Sequence, residues 1–415
     1  MLTAPDLPLR IRSLNTLLSL AQKFGFQSHA LTEQALLAGA MQQTGLEDFG
    51  ADDFKAGLTA LLKSLHEEAR LSPLGRVIAQ QEIQMALANR LQLVDYHKRF
   101  PEISALKIRE PVFIIGQGRS GTTIMHELMA LDTGLRVPRT WEVDRPFPPP
   151  HSANYASDPR IAAIQKNLDR TDVILPAFKR MHRMGAELPQ ECVRFTASEF
   201  ASLMFWTNYN VPAYTAWLKD EADLAPAYRY HRRFLQLLQW KHPVQPWVVK
   251  SPAHLWSLDA LLAEYPDARF IQTHRDPLKM LASLTSLVTH LRKMASDHVD
   301  PVQIAREWAE YNALGLNNSA ELRSAGRIAP DRIIDIDFYE FMSSPVDQLK
   351  RIYAFLEREL EPATESRMRD YLAQHSSAQH GAHSYSFADT GLDVEQERAR
   401  VAPYQAYFNT RIEVE

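Results

Sequence analysis

The stretch PVFIIGQGRSGTT, residues 111–123, decides the fold of this chain. It begins with a continuous apolar run, which is typical of a strand buried on both faces of a parallel sheet. Three glycines follow within six residues, and an apolar helical pattern then covers residues 122–131. A strand, a glycine-rich turn and a helix in this order are the context of a phosphate-binding loop. Its backbone N–H groups and the positive end of the helix dipole would attract an anion.

Strands and helices continue to alternate after this loop. The strand-like runs WVVK, ARFIQTH and RIIDIDF, at residues 247–250, 268–274 and 332–338, precede predicted helices at about 253–264, 277–290 and 345–357. This alternation predicts an α/β fold with a P-loop-like, mainly parallel sheet flanked by helices. Leucines at helical spacing before residue 100 predict an N-terminal helical extension, and residues 141–245 predict a helical insertion that shapes a substrate pocket.

We expect three regions along the chain. Residues 1–107 form the N-terminal extension, residues 108–392 form the α/β domain that contains the insertion, and residues 393–415 form a C-terminal tail.

Composition excludes several classes of protein. The chain has 415 residues and a formal net charge of −4, which excludes a nucleic-acid binder held by bulk positive charge. The one cysteine, Cys192, excludes an intrachain disulfide and a multi-thiolate zinc site. Neither a signal peptide nor an apolar run of about 20 residues is visible, so we expect a cytoplasmic protein without a membrane span. A homodimer is left open.

The side chains of the loop limit the kinds of nucleotide that it can bind. Arg119 adds a cation that can contact two oxygens, and Ser120, Thr122 and Thr123 add hydroxyl donors. The spacing from Gly116 to Gly121 matches a nucleoside-triphosphate loop, but Thr122 stands where that loop has its lysine. Because this lysine normally reaches the outer phosphates of ATP or GTP, a nucleoside triphosphatase is disfavoured.

The run IIGQGRSGTTIMHELMALD, residues 114–132, resembles the 5′-phosphosulfate loop of sulfotransferases that use 3′-phosphoadenosine 5′-phosphosulfate. The resemblance covers about residues 107–392 and implies a sulfotransferase α/β domain with no metal. It implies that the loop residues Gln117, Gly118, Arg119, Ser120, Gly121, Thr122 and Thr123 bind the donor. In FIQTHRDPLKMLASL, Arg275 follows a strand and Ser283 lies eight residues later, which is similar to the family's 3′-phosphate site.

Two further strings carry the resemblance. VKSPAHL, residues 249–255, resembles a segment in which the family's lysine contacts the transferred sulfuryl group, and that lysine is Lys250 here. HGAHSYSFADTGL, residues 380–392, loosely resembles a bacterial segment and implies that His383 and Tyr385 approach the nucleotide.

Sulfuryl transfer to an alcohol needs a group that takes the hydroxyl proton. We favour Glu142, which resembles the catalytic glutamate of the tyrosylprotein-type enzymes in its interval after the loop arginine. His254, four residues after Lys250, is the other candidate. Arg119 and Lys250 would stabilise the negative charge that develops on the transferred group.

The insertion offers a paired set of acids, Glu187 and Glu191, which we interpret as a helix-terminal charge set or as substrate-binding acids. An aromatic band follows, and it either walls an apolar pocket or belongs to the core; it comprises Trp206, Tyr209, Tyr214 and Trp217. The expected acceptor is a small apolar or aromatic molecule with a hydroxyl group. A P-loop kinase or nucleotide hydrolase, and a non-catalytic nucleotide-binding module, stay open as alternatives.

Overall fold

The computed structural model describes residues 4, 6–23, 31–174, 183–244, 246–375 and 386–414. Its centre is a sheet of four strands, β1 (Val112–Ile115), β2 (Val248–Lys250), β3 (Arg269–His274) and β4 (Ile333–Asp337). The strands lie in the order β2–β1–β3–β4, and every pair is parallel. The predicted α/β fold with a parallel sheet is confirmed, and a strand occurs at each predicted position.

Helices flank the sheet and form most of the described chain. In chain order they are α1 (Leu9–Lys23), α2 (Glu33–Thr44), α3 (Phe54–Glu67), α4 (Pro73–Arg99), α5 (Glu102–Ala105), α6 (Thr122–Met129), α7 (Thr140–Asp144), α8 (Pro159–Ile174), α9 (Val193–Thr196), α10 (Leu203–Asn208), α11 (Pro212–Asp220), α12 (Ala225–Gln239), α13 (Leu258–Glu264), α14 (Pro277–Ala295), α15 (Pro301–Ser324), α16 (Phe338–Ser343), α17 (Pro345–Phe355), α18 (Pro362–Gln374), α19 (Val394–Arg400) and α20 (Ala402–Phe408). None of these described helices is long and apolar enough to cross a membrane.

Strand β1 is buried on both faces, as its continuous apolar run predicts. Val112 and Ile114 pack in a cluster with Met125 and Leu128 of α6. The alternate residue Phe113 packs on the other side of the sheet, in a cluster with Leu255, Leu258 and Tyr265. Successive side chains of a strand point to opposite faces, so one short run anchors two helical layers.

The N-terminal helices and the insertion share a second core. Leucines of α3 and α4 pack there with the insertion residues Phe200 and Phe205. The aromatic band of the insertion belongs to the interior: Trp206, Tyr209 and Tyr214 are at most 2% exposed. Tyr209 and Tyr214 therefore join the insertion to the extension, whereas Trp206 packs in another cluster with Leu278 and Trp308. Trp217, the fourth ring of the band, is half-buried against the shared core.

The chain after β2 differs from the single helix expected at about 253–264. It forms a short 3₁₀ turn, Pro252–Leu255, and then α13, which begins only at Leu258. Ser257 lies at the break, where its Oγ is 2.7 Å from the hydroxyl of Tyr228. The bend keeps the residues that follow Lys250 at the edge of the sheet.

The strand order creates a crevice between β1 and β3. The connection from β1 leads to β2, its neighbour toward one edge of the sheet. The connection from β3 leads to β4, its neighbour toward the opposite edge. In parallel α/β sheets, ligands bind at such a reversal, beyond the carboxyl ends of the strands. The glycine-rich loop follows β1 and Arg275 follows β3, so both flank this crevice.

Candidate active site

The glycine-rich loop leaves β1 at a position that admits only glycine. Gly116 has a φ of 146°, and a Cβ there would lie 2.2 Å from the Thr273 Oγ1. The close approach fixes the start of the loop against β3.

The middle of the loop turns through two left-handed residues. Arg119 has a φ of 78° and Gly121 a φ of 86°, directly before α6 begins at Thr122. Left-handed residues next to right-handed ones turn successive N–H groups toward one concave side, which makes an anion-binding surface. The N-terminal end of α6 adds its free N–H groups to the same region.

Two of the predicted donor-binding residues shape the loop from within. The Ser120 hydroxyl donates to the carbonyl oxygen of Gln117 at 2.6 Å and lies 2.7 Å from the Thr273 Oγ1. The Gln117 side chain is 1% exposed and donates to the Asn312 carbonyl oxygen at 3.5 Å. These contacts hold the loop to β3 and to α15, while the exposed Arg119 stands at its rim.

The loop and the predicted 3′-phosphate residues meet. The Arg119 Nε donates to the Ser283 Oγ of α14 at 3.0 Å. The Arg275 Nη1 donates to the carbonyl oxygen of Arg119 at 3.1 Å. The three residues, which come from two strand ends and one helix, therefore form one hydrogen-bonded cluster that contains two guanidinium groups.

Arg275 also has a carboxylate partner. Its Nε and Nη2 donate to the two carboxylate oxygens of Glu413 at 3.1 and 3.4 Å. The guanidinium lies 4.0 Å from the centre of the Phe338 ring. The sequence does not indicate Glu413 as a site residue, because it lies 138 residues from Arg275 and no spacing pattern connects the two.

Lys250 is the last residue of β2, and its side chain reaches the first turn of α6, the helix that follows the loop and that we call the loop helix. Its Nζ donates to the Thr123 Oγ1 at 3.4 Å and to the carboxylate of Glu191. The backbone fixes this pairing, because the N–H of Cys192 donates to the carbonyl oxygen of Lys250 at 3.0 Å. The Lys250 side chain is 4% exposed and that of Glu191 is 23% exposed. The sequence marked Glu191 only as one of two paired acids; its contact with Lys250 is a finding of the structure.

Glu142, the favoured base, is enclosed. Its side chain is 0% exposed, and its oxygens accept from the Arg136 guanidinium at 2.8 and 2.6 Å. The N–H of Arg139 and the Tyr155 hydroxyl donate to the same carboxylate at 2.8 and 3.3 Å. Burial lowers the pKa of Arg136, but the Glu142 carboxylate raises it to a net value above the usual one. Donors already surround this carboxylate, which disfavours proton abstraction by Glu142; its role as base remains a prediction.

His254, the second candidate, lies at the edge of the core. Its Nδ1 is 2.7 Å from the Tyr228 hydroxyl, and its ring meets that of Phe113 edge to face. Its Nε2 is buried and has no hydrogen-bond partner. Burial, together with the nearby His231, holds the pKa of His254 well below its usual value, so the ring is neutral.

A cavity of about 30 Å³ adjoins His254 and Tyr228. Its lining is mostly apolar and includes Val193, Leu203 and Trp256, with His254 among the few polar groups. Cys192 and Ser251 also line it, and they directly follow Glu191 and Lys250 in the chain.

Burial raises the pKa of the Cys192 thiol, which therefore stays protonated and acts as an apolar wall of this cavity.

Two predicted residues, His383 and Tyr385, lie outside the described residues. Among the described residues, no cluster of three or more His, Cys, Asp or Glu side chains could hold a metal ion.

Comparison with known proteins gives one consistent family. The model of the sulfotransferase family matches residues 111–362 of the chain. The omega-hydroxy-beta-dihydromenaquinone-9 sulfotransferase Stf3 of Mycobacterium bovis is 25% identical over 284 residues, which are 64% of this chain and 67% of that protein.

Two solved structures share the fold over nearly the whole chain. Sulfotransferase STF1 from Mycobacterium tuberculosis H37Rv has a TM-score of 0.80 and 30% identity, and the match covers 91% of this chain and 100% of that one. Sulfotransferase STF9 from Mycobacterium avium has a TM-score of 0.84 and 29% identity, with coverage of 94% and 100%.

The enclosure of Glu142 predicts a structural role that stability measurements can test. Glu142→Gln leaves the buried Arg136 guanidinium without its compensating charge, so the free energy of unfolding should fall by about 3 kcal/mol. Denaturant unfolding measures this change. The control is Glu187→Gln, the same substitution at a side chain that is 61% exposed, which should change stability by less than about 0.5 kcal/mol. Equal stability of Glu142→Gln and wild type would contradict the structural role.

Proposed function

The chain belongs to the sulfotransferase family and is a sulfotransferase, and we propose that its donor is 3′-phosphoadenosine 5′-phosphosulfate. The acceptor in this proposal is the hydroxyl group of a small, apolar or aromatic molecule. The loop residues 116–123 bind the 5′-phosphosulfate, and Arg275 with Ser283 binds the 3′-phosphate.

The observation that carries the donor proposal is the contact between the loop and the residues after β3. Arg119 donates to Ser283 at 3.0 Å, and Arg275 donates to the Arg119 carbonyl oxygen at 3.1 Å. The donor has negative charge at two separate ends, and two linked cationic groups fit such a molecule. ATP lacks a 3′-phosphate and would leave Arg275 and Ser283 unused.

The two alternatives account for less of the site. A kinase or nucleotide hydrolase would use the loop, but Thr122 stands in place of the lysine that contacts the outer phosphates. A binding module would need no ion pair such as Lys250–Glu191 beside the start of the loop helix.

The proposed reaction is an in-line displacement at sulfur. The acceptor oxygen forms a bond to sulfur while the bond from sulfur to the phosphate oxygen breaks, and 3′-phosphoadenosine 5′-phosphate leaves. Lys250, Arg119 and the N–H groups of the loop stabilise the charge on the sulfuryl and leaving oxygens. The hydroxyl proton passes to a protein base.

For the base we propose Glu191 in place of Glu142. Its carboxylate contacts Lys250, which contacts Thr123 at the start of the loop helix. Glu191 also keeps part of its surface accessible, whereas Glu142 is sealed by Arg136. His254 is the second candidate, because its buried Nε2 has no hydrogen-bond partner, but burial lowers its pKa and makes it the weaker base.

The acceptor proposal rests on the cavity lined by Cys192 and Ser251, the residues that follow Glu191 and Lys250 in the chain. Its lining is mostly apolar, and a volume of about 30 Å³ holds only about two water molecules, so the walls must separate to admit a substrate. Stf3, the related protein, is named for a hydroxylated menaquinone. A hydroxylated apolar acceptor is consistent with both observations.

Arg275→Ala tests the donor site. Loss of charge-assisted hydrogen bonds worth about 1.5–3 kcal/mol should weaken binding of 3′-phosphoadenosine 5′-phosphate about tenfold or more. Binding of AMP, which has no 3′-phosphate, should change less than twofold in the same calorimetric titrations. The control is Arg369→Ala, which removes an arginine paired with Glu365 on α18. Equal losses of affinity for both nucleotides would show that Arg275 does not bind the 3′-phosphate.

Glu191→Gln tests the base. It should lower kcat about a hundredfold or more, since general-base catalysis contributes about 10²–10⁴. Nucleotide affinity should stay within twofold. Turnover of a labelled donor with an alcohol acceptor measures kcat, and calorimetry measures the nucleotide affinity.

Comparison variants separate the three candidate bases. His254→Ala should retain most activity, and any loss in Glu142→Gln should follow its lost stability. If His254→Ala or folded Glu142→Gln abolishes transfer while Glu191→Gln remains active, the base is reassigned accordingly.

A further inference from the structure

A segment near the C-terminus lies across the end of β3. Helix α20 ends at Phe408, Asn409 has a left-handed φ of 49°, and the chain then returns toward Arg275. There the two oxygens of Glu413 accept from the Nε and Nη2 of Arg275 at 3.1 and 3.4 Å. Both side chains are largely buried, with exposed fractions of 17% for Arg275 and 12% for Glu413.

The backbone of this segment is anchored independently of the Glu413 carboxylate. The N–H groups of Glu413 and Val414 donate to the Asp276 Oδ2 at 2.6 and 3.0 Å. Arg398 binds the same carboxylate with its Nη1 and Nη2 at 2.7 and 3.1 Å. Burial raises the pKa of Asp276, but hydrogen bonds from Arg398 and from the two N–H groups lower it overall, so this anchor is charged.

The Glu413 side chain can therefore leave Arg275 without releasing the segment. Its backbone stays on Asp276, while the carboxylate gives up its contacts with Arg275 and with the Tyr339 hydroxyl. The Arg275 Nη1 keeps its separate bond to the Arg119 carbonyl oxygen.

We propose that Glu413 sets the affinity of this enzyme for its donor by occupying the guanidinium edge that receives the 3′-phosphate. This inference rests on the proposed function, which assigns the 3′-phosphate to Arg275. A carboxylate and a phosphate both accept paired hydrogen bonds from a guanidinium, so the two groups compete for the same two donors. The phosphate carries more negative charge and more acceptor oxygens, so it displaces the carboxylate at a cost in affinity.

The competition acts on the donor and on the product alike. The product, 3′-phosphoadenosine 5′-phosphate, keeps the same 3′-phosphate as the donor. Return of the Glu413 carboxylate to Arg275 therefore weakens the binding of both nucleotides. A nucleotide without a 3′-phosphate does not compete with Glu413 for Arg275, so its affinity should not depend on Glu413.

The test is calorimetric binding of 3′-phosphoadenosine 5′-phosphate and of AMP to wild type and Glu413→Gln. The substitution keeps the size of the side chain and removes its charge. We expect the variant to bind the 3′-phosphorylated nucleotide about fivefold tighter or more, with AMP affinity within twofold of wild type. Glu413→Ala should give the same result, which guards against a residual contact from the amide.

The matched control is Glu395→Gln, an identical change of charge at an exposed position of α19. It should leave both affinities unchanged. Unchanged or weaker binding of the 3′-phosphorylated nucleotide to Glu413→Gln would overturn the competition, and weaker binding would make Glu413 a residue that positions Arg275. If wild type shows no preference for the 3′-phosphorylated nucleotide over AMP, the donor assignment itself fails and this inference falls with it.

Discussion

The parallel pairing of β1 with β3 is the constraint on which the rest of the site depends. Ile115 pairs with Gln272, so both strands end at the same edge of the sheet. Glycine at position 116 lets the loop pass so close to Thr273 that a Cβ would lie 2.2 Å from its hydroxyl oxygen. Any side chain there would push the loop away from β3 and separate Arg119 from Ser283 and Arg275.

Three glutamates each form an ion pair with an arginine or a lysine, but their different surroundings suit them to different roles. Glu142 is sealed with Arg136 and has no exposed surface, which suits a structural pair. Glu191 pairs with Lys250 and remains partly exposed, and the next residue, Cys192, lines an apolar cavity, which suits proton transfer to a base. Glu413 pairs with Arg275 from a segment whose backbone is anchored separately, which suits an exchangeable contact.

The sequence predicts most of the fold because the deciding signals are local. Apolar runs at four places gave the four strands, and the glycine spacing gave the loop. The spacing of eight residues from Arg275 to Ser283 corresponds to about two helical turns, so a local pattern already joins them. For the aromatic band, the core alternative is correct for Trp206, Tyr209 and Tyr214, which are buried.

The contacts that sequence reasoning could not supply join distant parts of the chain. The Lys250–Glu191 pair depends on the path of the insertion back to the end of β2, which no spacing rule gives. Arg275 and Glu413 are 138 residues apart. Glu142 resembled a base by its interval from Arg119, but the interval says nothing of Arg136, whose guanidinium encloses the carboxylate.

We propose that the crevice between β1 and β3 binds a nucleotide with anionic groups at two ends. Calorimetric competition between 3′-phosphoadenosine 5′-phosphate and ATP, with and without Mg²⁺, is the direct test. We expect the 3′-phosphorylated nucleotide to bind at least about tenfold tighter, a difference of about 1.4 kcal/mol, with no effect of Mg²⁺. Tighter binding of ATP that requires Mg²⁺ would contradict it and would point to phosphoryl chemistry at this loop.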